Sequence, residues 1–117
     1  VVQTERCVAK GDKRDRWVRV VQAAAAQSGR VRVPVVSSPE ALDAVLQSVE
    51  GARLVCAPGV EQAQVAGSHV TILVGPEGGL SDAELREAES HGWTLAGLGH
   101  TVLRADTAAI AAIVRYG

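Results

Sequence analysis

A chain of 117 residues with 47% apolar and 21% charged side chains has the profile of one small globular domain that buries a single core, so disorder is not expected. No apolar run approaches the roughly 18 residues of a membrane span, and no basic segment leads into an apolar signal core, which makes a cytoplasmic protein the expectation. The net charge of −1 hides an asymmetry: residues 1–32 hold eight basic side chains against three acidic, and the remainder four against ten. Such a distribution can present a phosphate-attracting surface on a nearly neutral protein, or simply a solvated helix face.

The elements follow in chain order. "VVQTERCV" opens with β-branched residues and predicts a strand. "DKRDRWVRVVQAAAAQSG" changes period: Trp17, Val20 or Val21, and Ala24 fall on one helical stripe, and Gly29 is placed to end the helix. "VRVPVV" is β-branched, but Pro34 confines it to an edge or a loop. In "SSPEALDAVLQSVEG", Ser38 is the expected cap, Pro39 suits the first helical position, Leu42, Val45, Leu46 and Val49 form the stripe, and Gly51 ends it. "RLVCA" and "HVTILV" predict buried strands. Ser81 and Glu84 have capping-box spacing for a helix from about Asp82 to Gly92. "WTLAGL" predicts a further strand, and "TAAIAAIVRYG", apolar nearly all round, a buried helix.

Phe and Met are absent, and Trp17, Trp93 and Tyr116 are the only aromatic side chains, so Val, Ala, Leu and Ile must fill the core. Cys7 and Cys56 have neither metal-like spacing nor the number for a disulfide framework, and both are expected to be buried and reduced. No metal is expected. Strands apolar on both faces, alternating with helices, predict an α/β fold: a mainly parallel sheet flanked by helices.

In such sheets ligands bind beyond the carboxyl ends of the strands. Three strand ends carry unusual loops: "CAPG" at residues 56–59, "GPEGG" at 75–79 and "LGHTVLR" at 98–104. Glycine there permits close backbone approach, and a following helix N-terminus offers unpaired N–H donors. By itself "GPEGG" favours a structural turn, since it lacks both the Lys-Ser/Thr ending of a P-loop and the GxGxxG spacing of a dinucleotide fold. The later glycine loop, with an Arg beside an Asp-Thr helix start, weighs toward a ligand site.

"TILVGPEGGLSDAEL", "LAGLGHTVLRADTAA" and "AAQSGRVRVP" together resemble the RsmE family, SPOUT-class methyltransferases that use S-adenosylmethionine to methylate N3 of a uridine in 16S ribosomal RNA. The likeness runs from about Glu5 to the C-terminus. It implies a SPOUT-like fold with a C-terminal deep trefoil knot, a homodimer, and the small ribosomal subunit as partner. The cofactor walls it implies are Val55, Cys56 and Ala57, then Gly75, Glu77, Gly78 and Gly79, then Leu98, Gly99, Val102 and Leu103. Arg6, Gln27 and Arg30 lie in family-like strings and, with the basic run Arg14, Arg16 and Arg19, are the candidates for holding RNA.

Uridine N3 is a poor nucleophile until it loses its proton, which places negative charge on the ring and its flanking oxygens; a nearby cation can stabilise that charge. Arg104, leaving the third loop, is the candidate cation, with a structural pair to Asp106 as the alternative. Glu77 and Asp106 are candidate bases, His100 is a further polar residue of the third loop, and the residues alone do not assign the base. The chain departs from the family pattern at Ala26, where Glu is usual, and at 105–107, where Ala-Asp-Thr replaces Thr-Glu-Thr.

Family members also carry an N-terminal β-barrel RNA-binding domain and a first catalytic strand and helix. Their absence here, with the short connection "AKGDKRD", predicts that the chain is a fragment of a longer protein. Two other functions fit the same strings: a non-catalytic RNA-binding or dimerisation module of SPOUT fold, and a SPOUT enzyme methylating a transfer-RNA ribose 2′-oxygen.

Overall fold

The strand "ARLVC" becomes β3 (Ala52–Cys56), whose Leu54 and Val55 are both buried although they point to opposite faces. That is possible because β3 is the central strand. It pairs in parallel with β4 (Val70–Leu73) on one side and β5 (Thr94–Ala96) on the other, with Val55 opposite both Leu73 and Leu95. In the computed structural model, which describes residues 1–8, 11 and 13–117, a second, two-stranded sheet joins β1 (Val2–Gln3) to β2 (Glu40–Ala41), again in parallel. The short connection "AKGDKRD" includes Ala9, Lys10 and Asp12, which lie outside the described residues.

Helices cover both faces of the three-stranded sheet. On one face Val55 and Leu73 pack with Leu42 and Leu46 of α2 (Leu42–Ser48), Ala88 of α3 (Asp82–Ser90), Leu80 and Trp93. The indole Nε1 of Trp93 donates to the Leu46 carbonyl at 3.1 Å, which satisfies its polar atom inside the core. On the other face Leu54 and Ala96 meet Tyr116 at the end of α4 (Ala105–Tyr116), whose hydroxyl donates to the Gly97 carbonyl at 2.7 Å.

The start of α3 follows its sequence signal. Ser81 Oγ accepts from the Glu84 N–H at 3.3 Å, and Glu84 Oε2 accepts from the Ser81 N–H at 2.8 Å. Glu84 is buried because its other oxygen, Oε1, accepts from the Glu5 N–H at 2.7 Å, so one carboxylate ties the segment after β1 to the start of α3.

Four expectations are corrected. The strand in "VVQTERCV" is only two residues long, because the chain turns at Thr4, whose carbonyl accepts from the Cys7 N–H. The helix expected from Ser38 begins at Leu42 without a side-chain cap; Glu40 and Ala41 are instead drawn into pairing with β1, the Glu40 N–H donating to the Val1 carbonyl at 2.9 Å. In α1 (Arg14–Gln27) the inward stripe is Trp17, Val18, Val21 and Ala25, while Val20 and Ala24 face solvent. Finally, α4 is buried only along Ala108, Ala112 and Tyr116; Ile110, Ile113 and Val114 are 67%, 64% and 81% exposed.

Candidate active site

The C-terminal ends of β3, β4 and β5 point the same way, and the loops that leave them enclose one cavity of about 430 Å³. That volume lies within the range of small-molecule sites. Cys56, Ala57 and Pro58 form one wall, residues 75–80 the second, and Leu98, Gly99 and residues 101–103 the third. Parallel register explains the convergence of segments up to 47 residues apart: every crossover returns the chain to the same end of the sheet.

Of the sequence-designated cofactor residues, Cys56, Ala57, Gly75, Glu77, Gly78, Gly79, Leu98, Gly99, Val102 and Leu103 all line this cavity. Val55 does not: its side chain is fully buried in the core beneath. Leu95, Leu98, Val102 and Leu103 make an apolar interior, Glu77 and Asp82 add carboxylates, and Gly75, Gly78, Gly79 and Gly99 expose backbone. Gly79 and Gly99, at φ +71° and +128°, hold conformations that side chains with a Cβ rarely adopt. Apolar lining, accessible amides and a few charges suit a small molecule with both an apolar and a polar part. Burial raises the Cys56 thiol above its ordinary pKa, so at neutral pH it is an uncharged wall atom rather than a nucleophile.

The third loop divides. Leu103 and Ala105 face the cavity, but Arg104 between them is outside it, 86% exposed, with Nε 3.8 Å from Asp106 Oδ1. Asp106 also accepts from the Thr107 N–H at 2.8 Å, at the start of α4. His100 is likewise exposed and outside the cavity. Of the two carboxylates considered as bases, Glu77 alone reaches the cavity wall.

The RNA candidates are not one cluster. Arg16 and Arg19 are exposed and three residues apart on α1, hence on one face. Arg14 Nε donates to the Val36 carbonyl at 3.2 Å, away from them. Gln27 and Arg30 stand exposed at the other end of α1, roughly 20 Å along the axis. Arg6 lies in the cavity wall, with Nη1 donating to the Gly78 carbonyl at 2.9 Å. The sequence also passed over Asp82 and Thr101 as lining residues; only their places beside Ser81 and within the third loop hinted at this. Among the described residues no group of acidic, Cys and His side chains could hold a metal ion, and no helix is long and apolar enough to cross a membrane.

Comparison with known proteins agrees with this geometry. Ribosomal RNA small subunit methyltransferase E of Mycobacterium bovis is 36% identical over 98% of this chain and 50% of its own length. A methyltransferase from Legionella pneumophila solved with bound SAM superposes with a TM-score of 0.90 at 33% identity, over 97% of this chain and 51% of that one. Ribosomal RNA small subunit methyltransferase E from Neisseria gonorrhoeae, bound to S-adenosyl methionine, gives 0.89 at 30% identity, over 97% and 51%. The chain thus spans about half the length of these relatives. Residues 1–116 match the RNA methyltransferase domain, and the chain belongs to that family.

Proposed function

We propose that this chain is the catalytic domain of an S-adenosylmethionine-dependent methyltransferase acting on N3 of a uridine in 16S ribosomal RNA. The observation that carries the reading is the single cavity formed by the three loops, in a fold that superposes on two relatives solved with this cofactor. When bound, the cofactor supplies an activated methyl group, so the protein's task is to hold the acceptor in line with it. The glycine loops would hold the cofactor through backbone groups, Leu98, Val102 and Leu103 would cover its apolar part, and Glu77 and Asp82 would face its cationic end.

A C-terminal trefoil knot belongs to this reading. It is supported by the tight crossing where Gly97, just after β5, runs against Val60 and Glu61 of the β3–β4 connection, its N–H donating to the Glu61 carbonyl at 2.9 Å. A homodimer belongs to it too, with the exposed Ile110, Ile113 and Val114 of α4 as the covered face. Arg104 stands outside the cavity of its own chain, so its part in catalysis requires the mouth of a second copy's cavity. The reading further places the protein in the cytoplasm, with an N-terminal RNA-binding domain in the longer protein.

The test is to incubate the intact protein with small ribosomal subunits lacking the modification and with labelled cofactor, then to locate the methyl by nuclease digestion and mass spectrometry. A methyl on uridine N3 is the expected result. A ribose methyl, or cofactor binding without transfer to any RNA, would replace the reading with a 2′-oxygen enzyme or a non-catalytic module. In the same assay Arg104→Gln is expected to lower turnover on the order of 10²-fold with cofactor affinity intact, as for a transition-state contact.

RNA docking is separable from chemistry. Changing Arg16 and Arg19 to Gln should weaken RNA binding and reduce the slope of log affinity against log salt by about 1 to 2, since up to two phosphate contacts are lost. Adding Arg14→Gln should change the slope less, because that guanidinium is already engaged with Val36. Titrating binding against salt checks both.

A further inference from the structure

Arg6 is fixed at the cavity wall by contacts distant in sequence. Its Nη1 donates to the Gly78 carbonyl at 2.9 Å, and its own Cβ lies so near that a Cβ on Gly78 would come within 3.3 Å of it. The backbone beside it is held by the Glu5 N–H bond to buried Glu84, whose other oxygen serves the start of α3. Of the described lining residues Arg6 alone carries a positive charge, and among the described residues no carboxylate pairs with it. One bond to a carbonyl leaves most of the guanidinium's five N–H donors unused. A preorganised cation with spare donors in an apolar-lined cavity stabilises an anion without reorganising.

We infer that Arg6 is a catalytic residue, donating to a carbonyl oxygen that flanks N3 in the deprotonated uracil; this rests on the uridine reading above. In the step it serves, the N3 proton leaves to the medium, the pair left on N3 forms the bond to the methyl carbon, and the pair of the breaking S–C bond returns to sulfur. Methylated uridine, S-adenosylhomocysteine and a proton are the products. The cofactor's carboxylate is the other anion a guanidinium could take. Arg6 and Gly78 are both exposed, at the cavity's mouth, and Arg6 lies on the segment leading to the basic helix α1, the side from which RNA would arrive.

The experiment uses the intact protein with Arg6→Gln and Arg6→Lys. Arg6→Gln is expected to lower turnover at saturating substrates on the order of 10²-fold, leaving cofactor affinity by calorimetry unchanged, and Arg6→Lys to recover part of the loss because the charge remains. A second measurement needs no turnover: binding of an RNA carrying 5-fluorouridine, whose N3 proton is more acidic than uridine's, to protein loaded with S-adenosylhomocysteine. Wild-type binding should tighten as pH rises through that ionisation, and Arg6→Gln should flatten the rise. Loss of cofactor affinity with full turnover at saturation would overturn the inference in favour of a cofactor contact. RNA binding weakened equally at every pH, with turnover intact, would overturn it in favour of a phosphate contact. If Arg6→Gln fails to fold, the pH dependence in Arg6→Lys decides: a rise shallower than that of wild type supports the inference, and a rise equal to wild type, or a flat profile in wild type, overturns it. Mapping the wild-type methyl first keeps a failure of the uridine reading distinct from a failure of the Arg6 assignment.

Discussion

Gly97→Ala is expected to keep this chain from its native fold. A Cβ at Gly97 would collide with the Val60 carbonyl oxygen and sit 3.0 Å from that of Glu61, and both obstacles are backbone. Ordinary overpacking costs about 1–3 kcal/mol because side chains move aside. Here the chain crossing itself must open, breaking the Gly97 N–H bond to Glu61 and disturbing the carbonyl that accepts from Tyr116. A cost beyond about 4 kcal/mol follows, a large share of the roughly 5–15 kcal/mol that holds a domain together. Gly59→Ala is the control: it has φ +74° with nothing within 4 Å of the added Cβ, so it should cost only about 1 kcal/mol of backbone strain. Denaturant unfolding of the two variants checks the comparison, and a Gly97→Ala protein as stable as the Gly59→Ala one would show that the crossing is loose.

Gly99→Val is expected to weaken cofactor binding while leaving the fold intact. Nothing lies within 4 Å of a Cβ there, so the fold does not resist one sterically, but φ +128° is hostile to a β-branched residue and strain of about 1–3 kcal/mol would push the third loop out of place. Each 1.4 kcal/mol is tenfold in affinity, so a loss on the order of ten- to hundredfold is expected by calorimetry. Gly78→Val should weaken binding by another route, placing a branched side chain in the cavity wall where the cofactor approaches backbone, with the Arg6 Cβ only 3.3 Å from the added Cβ. Unchanged affinity in both variants would remove the glycine loops from the site.

The sequence was most legible where the signal is local. Ser81 and Glu84 declare the start of α3 because both halves of the capping box lie within one turn, and the structure forms both bonds. The strands β3, β4 and β5 are legible because a strand covered on both faces carries consecutive apolar residues, as at Leu54 and Val55, Ile72 and Leu73, and Leu95 and Ala96. Legibility failed where a distant segment competed for the same residues. Ser38 and Pro39 form a sound helix start, yet pairing with β1 claims Glu40 and Ala41, and a local cap is worth only about 1 kcal/mol. The apolar circumference of α4 signals burial, but three of its large residues face outward, because composition reports that a surface wants covering without naming the cover.

The candidate site divides in the same way. From the sequence alone came the α/β class, the order of the four helices and of the three strands of the central sheet, the three loops and the glycines within them, since periodicity, caps and positive φ are properties of a few adjacent residues. Only the tertiary structure decided that Arg6 belongs to the cavity and Arg104 lies outside the cavity of its own chain, that Val55 is core rather than wall, and that Gly97 must be glycine. Each of these depends on which segments a parallel sheet brings to one end and on how closely two stretches of backbone pass. Such distances arise between residues tens of positions apart, and no local pattern encodes them.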